Sequence, residues 1–493
     1  MNFNTLRQDI PAGLVVFLVA LPLCLGIAQA SGLPPFVGLL TGVIGGLVVT
    51  TFSPSKFAVS GPAAGLVTIV TGAIETLGSF SALLLALVIA GVLQFLLGLA
   101  RAGRFITLVP GTVIKGMLAA IGILLIIQQI PVALGAAEES ELSDMVTGGA
   151  FSFSLSAIVV SGIGLLILWF WTTPTLKKVK ALSWMPGPLV AVLFGCLATV
   201  VGGRLFPEIV SNLPRISLPA FDSIQALTGE LESPDWAAWQ NPAIYVVAVT
   251  LAIVASLETL LSQEALKKLR AQHPAPSPDK EMRAQGIGNL ISGFLGGLPI
   301  TAVIVRSSVN VSVGAQSKLS IFVHGVLLLV CGLWFSDLLN AIPLASLAAV
   351  LLYTGYKLAT PRLFIEQFRQ GAQQYVPFLA TIGGILVFGM LAGIGIGLAT
   401  QILFSVYKSH RNAMLLTRYD DHYVLRFQQN LTFMHNPRLK GLLAQIPENS
   451  VVIVDHDNAE YLDPDVKAVL EDFGEGAGKR GIVLNQWPVK VAG

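Results

Sequence analysis

Glu258 stands in the apolar run VAVTLAIVASLETLLS, preceded by eleven uncharged residues and with no basic residue nearby in that run. A carboxylate inside such a segment is costly to hold in hydrocarbon and is by default functional. Its oxygens could bind Na⁺ with hydroxyl partners, for which Ser262 and Thr301 are the candidates, or could carry a proton. The plainer alternative is that Glu258 lies near a span end and reaches out to water. Two short segments broken by glycine and proline complete the set: VSGPAAGLVTIV from Val59 and GGLPITAVIVRSSVN from Gly296. A helix that begins inside a bilayer leaves up to four N–H groups unpaired and is tolerated where it lines a cavity. Its positive end can then hold an anion without a basic side chain. In the first segment Ser60, Gly61, Pro62, Ala63 and Ala64 supply a breaker, small side chains and a hydroxyl. In the second, Gly296, Gly297 and Pro299 break the chain, and Thr301 and Ala302 are expected to offer free N–H groups. Small residues of this kind also serve close helix packing. Arg306 falls about one and a half turns into the second half-helix, where it either adds positive potential behind an anion or faces a vestibule.

These residues need a membrane around them. Of the 493 residues 54% are hydrophobic and 12% charged, and the mean hydropathy is +0.74. A soluble domain carries about twice that share of charge. Apolar stretches long enough to span recur from Pro11 to Tyr407, giving about fourteen crossings or part-crossings with the two broken segments third and tenth. An odd number of spans per half inverts the second half against the first, the pattern of inverted-repeat transporters. Basic residues from Arg7 to Arg411, including Lys56, Arg101, Lys177, Lys178, Lys180, Arg270, Arg362 and Lys408, fall at ends this count puts on one side, expected to be cytoplasmic. Glu138, Glu139, Glu141 and Asp144 fall on the other, together with a mixed connection from Gly203 to Gln240. The opening MNFNTLRQDI is too polar for the apolar part of a leader, so no cleavage is expected.

From about Leu416 the pattern changes. Short strand-like runs (HYVLRF, VVIVD, GIVL) alternate with helix-like stretches (PRLKGLLAQI, DVKAVLEDF), which predicts a small soluble β/α domain. Domains are expected at 1–410 and 411–493. The net charge of +2 gives no sign of nucleic-acid binding. Cys24, Cys196 and Cys331 sit in apolar runs, and their spacing fits neither disulfides nor zinc. GIGIG at Gly393 to Gly397 imitates a dinucleotide loop but is expected in a tight turn between two spans. Asp455, His456 and Asp457 read as a polar strand end. No nucleotide-binding lysine loop appears in the tail, which argues against an ATP-driven pump, and no cofactor is expected.

The order of parts resembles the SulP inorganic anion transporters, prokaryotic relatives of solute carrier family 26. The likeness covers nearly the whole chain. It rests on ALPLCLGIAQASGLPP (Ala20 to Pro35), VSGPAAGL, Glu258 in the eighth span, and PITAVIVRSSVNVSVGAQSKLS (Pro299 to Ser320). The tail is similar to an abbreviated STAS domain. The resemblance implies a polytopic α-helical membrane protein of about fourteen segments in a 7+7 inverted repeat, with a core domain moving against a gate domain. It also implies a homodimer, and the charge bias leads us to expect both termini on the cytoplasmic side of a bacterial inner membrane. On the resemblance, Ser60 to Ala64, Thr301 and Ala302 fall at the family's anion positions and Arg306 matches its arginine beside the pocket. Glu258 falls where bicarbonate-transporting members have an acidic residue associated with Na⁺.

Two departures matter. Pro22 is followed by Leu23 where many sulfate-transporting members carry glutamine, which makes sulfate the weaker expectation. Asp455 is followed by His456, Asp457 and Asn458 rather than by the family's serine-containing phosphorylation loop. The function expected is therefore secondary transport of a small inorganic anion, bicarbonate foremost, coupled to Na⁺ near Glu258 by elevator-like alternating access, and no enzyme. The alternatives are proton-coupled uptake of sulfate or a dicarboxylate, and an anion channel or sensor.

Overall fold

The computed structural model describes residues 3–106, 109–135, 154–173, 185–205, 213–219, 229–269, 276–419, 422–455, 457–459 and 461–486. Glu138, Glu139, Glu141, Asp144, Lys177, Lys178, Lys180, Arg270, His456 and much of the connection after Gly203 lie outside them. The chain divides into two compact units, Met1–Leu398 and Ala399–Gly493.

The first unit is helical. In chain order its main helices are α1 (Phe3–Ala30), α2 (Pro35–Phe52), α3 (Val67–Leu77), α4 (Phe80–Leu99), α5 (Gly111–Ala133), α6 (Leu155–Trp171) and α7 (Gly187–Leu205). They continue as α8 (Pro242–Leu269), α9 (Pro278–Leu295), α10 (Ile304–Ser312), α11 (Leu319–Trp334), α12 (Leu344–Leu358) and α13 (Ala372–Phe388), followed by α14 (Met390–Asn412), within which the boundary between the units falls. Among the described residues seven, namely α1, α2, α4, α5, α7, α8 and α14, are long and apolar enough to cross a membrane, and further apolar helices are shorter. With the composition, this makes the chain a polytopic helical membrane protein.

Caps and breakers set the boundaries. Ser79 accepts from Ala82 N (3.2 Å) to start α4, and Ser277 caps α9 with Pro278 at its first position. Helices α4 and α9 meet backbone to backbone: a Cβ on Gly91 would stand 2.5 Å from Leu290 N, and one on Gly286 would stand 2.6 Å from Phe95 N. Small residues that let helices approach this closely are a device of membrane bundles. One sequence expectation is corrected here. GIGIG lies inside α14, not in a turn; the reversal is at Gly389 (φ 85°), and Gly393 lies against Gly384 and Ile385 of α13.

The breaks at the third and tenth positions are strands as well as gaps. β1 (Ser60–Pro62) pairs antiparallel with β2 (Ile300–Ala302), in the register Ser60 to Ala302, Gly61 to Thr301 and Pro62 to Ile300. A single 3-10 turn, Ala64–Leu66, then leads into α3.

The second unit carries a four-stranded sheet in sequence order: β3 (Met414–Tyr419), β4 (His422–Phe427), β5 (Val451–Asp455) and β6 (Val483–Gln486). β3 and β4 form an antiparallel hairpin, and β4, β5 and β6 run parallel. The parallel crossovers contain α15 (Asn436–Leu443) and α16 (Pro464–Ala477), as such connections require. Leu425, Phe427, Val452, Val454, Leu439 and Leu470 form its buried core.

Candidate functional site

The ribbon brings together two segments some 240 residues apart in sequence, and other elements hold it in place. Val303 N donates to Val59 O (2.9 Å), so in an antiparallel ladder the Gly61–Thr301 pair is also hydrogen-bonded. Asn289 of α9 acts as an extra rung: its Oδ1 accepts from Ile300 N (2.6 Å) and its Nδ2 donates to Ile300 O (3.1 Å). Ser307 and Asn310 of α10 bond the approach to β1, Ser307 Oγ accepting from Val59 N (2.9 Å) and Asn310 Nδ2 donating to Phe57 O (3.1 Å). Gln285 Nε2 donates to Ser60 Oγ (2.8 Å), and Gln285 is bonded in turn to the buried Glu281 (3.0 Å).

This pairing consumes donors that the sequence suggested were free. Thr301 N–H belongs to the ladder, and Ala302 N donates to Thr259 Oγ1 of α8 (3.2 Å). The unpaired donors come later. Ser307 N closes the first turn of α10 onto Val303 O (3.0 Å), which leaves the N–H groups of Ile304, Val305 and Arg306 without an intrahelical acceptor. Likewise Leu66 N bonds Ala63 O (3.1 Å), leaving those of Ala64 and Gly65 before it.

Both helix starts open on one cavity of about 200 Å³. Of the residues singled out in the sequence, Ala63, Ala64, Glu258, Ser262, Thr301, Ala302 and Arg306 line it. Ser60, Gly61 and Pro62 do not; they lie in β1 behind it, because the break is spent on strand pairing before the helix begins. Gly65 and Val303 to Val305 were missed, and so was the brace Thr259. Counting forward from a three-residue strand would have found the donors, but nothing local marks so short a strand. The remaining wall is mostly apolar, with Leu23, also singled out in the sequence, and Ile27 from α1, Leu118 and Ile121 from α5, and one further hydroxyl at Thr354 of α12.

Two charged residues line the cavity. Arg306 is fully buried; its Nη2 donates to Pro62 O (3.3 Å), while Nε and Nη1 have no partner among the described residues. A buried guanidinium left part-bonded is costly and calls for a negative group. Glu258 Oε2 and Thr301 Oγ1 lie beside each other in a buried place, with no partner other than one another among the described residues. The carboxylate rests on the backbone at the start of α3: a Cβ on Gly65 would collide with Glu258 Oε1. Two orphaned oxygens and a hydroxyl at Ser262, one turn along α8, are the donor chemistry of a hard monovalent cation.

The model of the sulfate permease family matches residues 6–381. The chain belongs to that family. Among its relatives in the sulfate permease family, the putative sulfate transporter YvdB of Bacillus subtilis (strain 168) is 30% identical over 413 residues, covering 82% of this chain and 74% of that protein. The bicarbonate transporter BicA of Picosynechococcus sp. (strain ATCC 27264 / PCC 7002 / PR-6) is 29% identical over 375 residues, covering 72% of this chain and 62% of BicA. The solved transmembrane domain of a cyanobacterial bicarbonate transporter BicA superposes with a TM-score of 0.67 at 25% identity, covering 80% of this chain and 98% of that one. The structure of SLC26A9 superposes with a TM-score of 0.76 at 14% identity, a likeness of fold, over 98% of this chain and 84% of that one. These sulfate permease relatives are described as transporters, not enzymes.

Proposed function

We propose that this chain is a secondary transporter of a small inorganic anion, bicarbonate foremost, taken up with Na⁺ by elevator-like alternating access. One observation carries the reading: a carboxylate, a part-bonded guanidinium and the free N–H ends of two helices line the same small cavity. The N–H groups and Arg306 suit an anion. Glu258, resting on the first turn of α3, opposes it. Two like charges about 4 Å apart repel by roughly 4 kcal/mol at an effective dielectric of 20, a penalty against the attraction of Arg306 that a cation at the carboxylate would remove. Na⁺ at Glu258 Oε2 and Thr301 Oγ1, with Ser262 as a further ligand, would satisfy both orphaned oxygens and make anion binding depend on cation binding.

Leu23 on the wall favours bicarbonate over sulfate, since it supplies no hydrogen bond for the fourth oxygen of a tetrahedral dianion. The similarity to YvdB keeps a second reading open, in which a proton on Glu258 does the coupling and sulfate or a dicarboxylate is the cargo. The same proposal includes domains near residue 410, a homodimer, a 7+7 repeat, a STAS-like tail, and both termini on the cytoplasmic face of the inner membrane. Arg101, Lys115 and Arg362 near helix ends support that orientation.

The test is uptake of labelled bicarbonate into proteoliposomes with and without an inward Na⁺ gradient. Uptake should rise with the gradient, and Glu258→Gln should abolish that stimulation. Absence of uptake under both conditions would sink the bicarbonate reading. Sulfate uptake that follows pH and ignores Na⁺ would favour the second.

A further inference from the structure

Between α12 and α13 lies the helix Pro361–Arg369, PRLFIEQFR. Its inner face is anchored: Leu363 and Phe364 pack on the apolar cluster around α5 and α13, and Phe364 meets Phe378 edge to face with centroids 5.2 Å apart. Its outer face is not covered. Arg362 and Arg369 are seven residues apart, so they share one stripe with about 10 Å between them along the axis. Neither has an ion-pair partner among the described residues. The carboxylate in the same stripe, Glu366, is already paired with Lys115 (3.6 Å). Beside the arginines Ile365 and Phe368 are 53% and 50% exposed, and Phe368 stacks on Tyr375 with centroids 5.1 Å apart. Arg362, Ile365, Glu366, Arg369 and Gln370 line a groove of about 360 Å³.

We propose that this helix is a binding site for an anionic phospholipid. Two unpaired guanidinium groups on one stripe fit a phosphate headgroup, and the exposed Ile365 and Phe368 next to them fit the upper part of an acyl chain. The setting agrees: a short helix between the apolar helices α12 and α13, with charged residues on one side and large apolar ones on the other, suits the level where headgroups meet hydrocarbon. Gly371 (φ 89°) separates it from α13, so it can lie in the membrane plane while α13 turns inward. The proposal does not depend on which anion is carried or on what drives the transport.

The test uses the full chain purified in detergent, with bound lipids counted by native mass spectrometry as phosphatidylglycerol or phosphatidylcholine is added. The wild type is expected to retain phosphatidylglycerol at concentrations where phosphatidylcholine is lost. R362Q/R369Q should weaken that retention about tenfold or more, while R362K/R369K keeps most of it. R204Q, at the end of α7, should behave as wild type. Equal retention of the two lipids, or unchanged phosphatidylglycerol binding in R362Q/R369Q, overturns the proposal. Full displacement by glycerol phosphate at equal concentration would identify a soluble-phosphate site and overturn the lipid assignment. A change in the dimer fraction with no change in lipid count would assign the face to a second copy and overturn it as well.

Discussion

At the scale of single residues, the proposed function can be tested at Gly65 and Arg306. Replacing Gly65 with alanine places a methyl group on the Glu258 carboxylate and close to the Ile121 side chain. The carboxylate must then leave its seat. We expect Gly65→Ala to remove cation-stimulated uptake while purified protein keeps its elution profile; wild-type stimulation in that variant would show that the contact is irrelevant. Arg306→Gln removes a charge-assisted partner worth about 1.5–3 kcal/mol, so KM for the anion should rise about ten- to a hundredfold. Lysine should not restore it, because a point charge cannot reach Pro62 O and still present two N–H groups in the guanidinium plane. A KM within twofold of wild type in Arg306→Lys would contradict that geometry.

At the scale of elements, the ribbon and its braces decide where the helix ends point. Asn289→Ala leaves both backbone groups of Ile300 unbonded in a buried place, at about 1–3 kcal/mol for each. The melting temperature should fall, and uptake should fall further than the loss of folded protein explains; a variant as stable as wild type would show that the brace is dispensable. The two breaks were legible in the sequence because proline and glycine punctuate an otherwise apolar chain. The ribbon was not. SGP and ITA are too short to show a strand's alternation, and each finds its partner across some 240 residues. The free donors were therefore placed at Thr301 and Ala302, when the strand pushes them on to Ile304, Val305 and Arg306. GIGIG misled for a related reason: its glycines serve contact between α13 and α14, and the turn needs only Gly389. Glu258 and Ser262 were legible because a charge in an apolar run and a hydroxyl one helical turn away need no tertiary information.

At the scale of the whole molecule, the core of the second unit is self-contained. Its buried cluster is drawn entirely from residues between Ala413 and Ile482. Residues 413–493 expressed alone should fold, with a cooperative thermal transition in circular dichroism; a featureless melt would mean that the helical unit is needed to complete it. In the helical unit, the pairing of β1 with β2 has its own consequence. The donors of the two helix starts are joined through one ribbon, so under the proposed alternating access they would travel as a tray and not as jaws. Such a tray would present the same grip to either side of the membrane and have no preferred direction of its own. On the proposed coupling, whatever makes the traffic one-way would then come from the tenant of a single carboxylate.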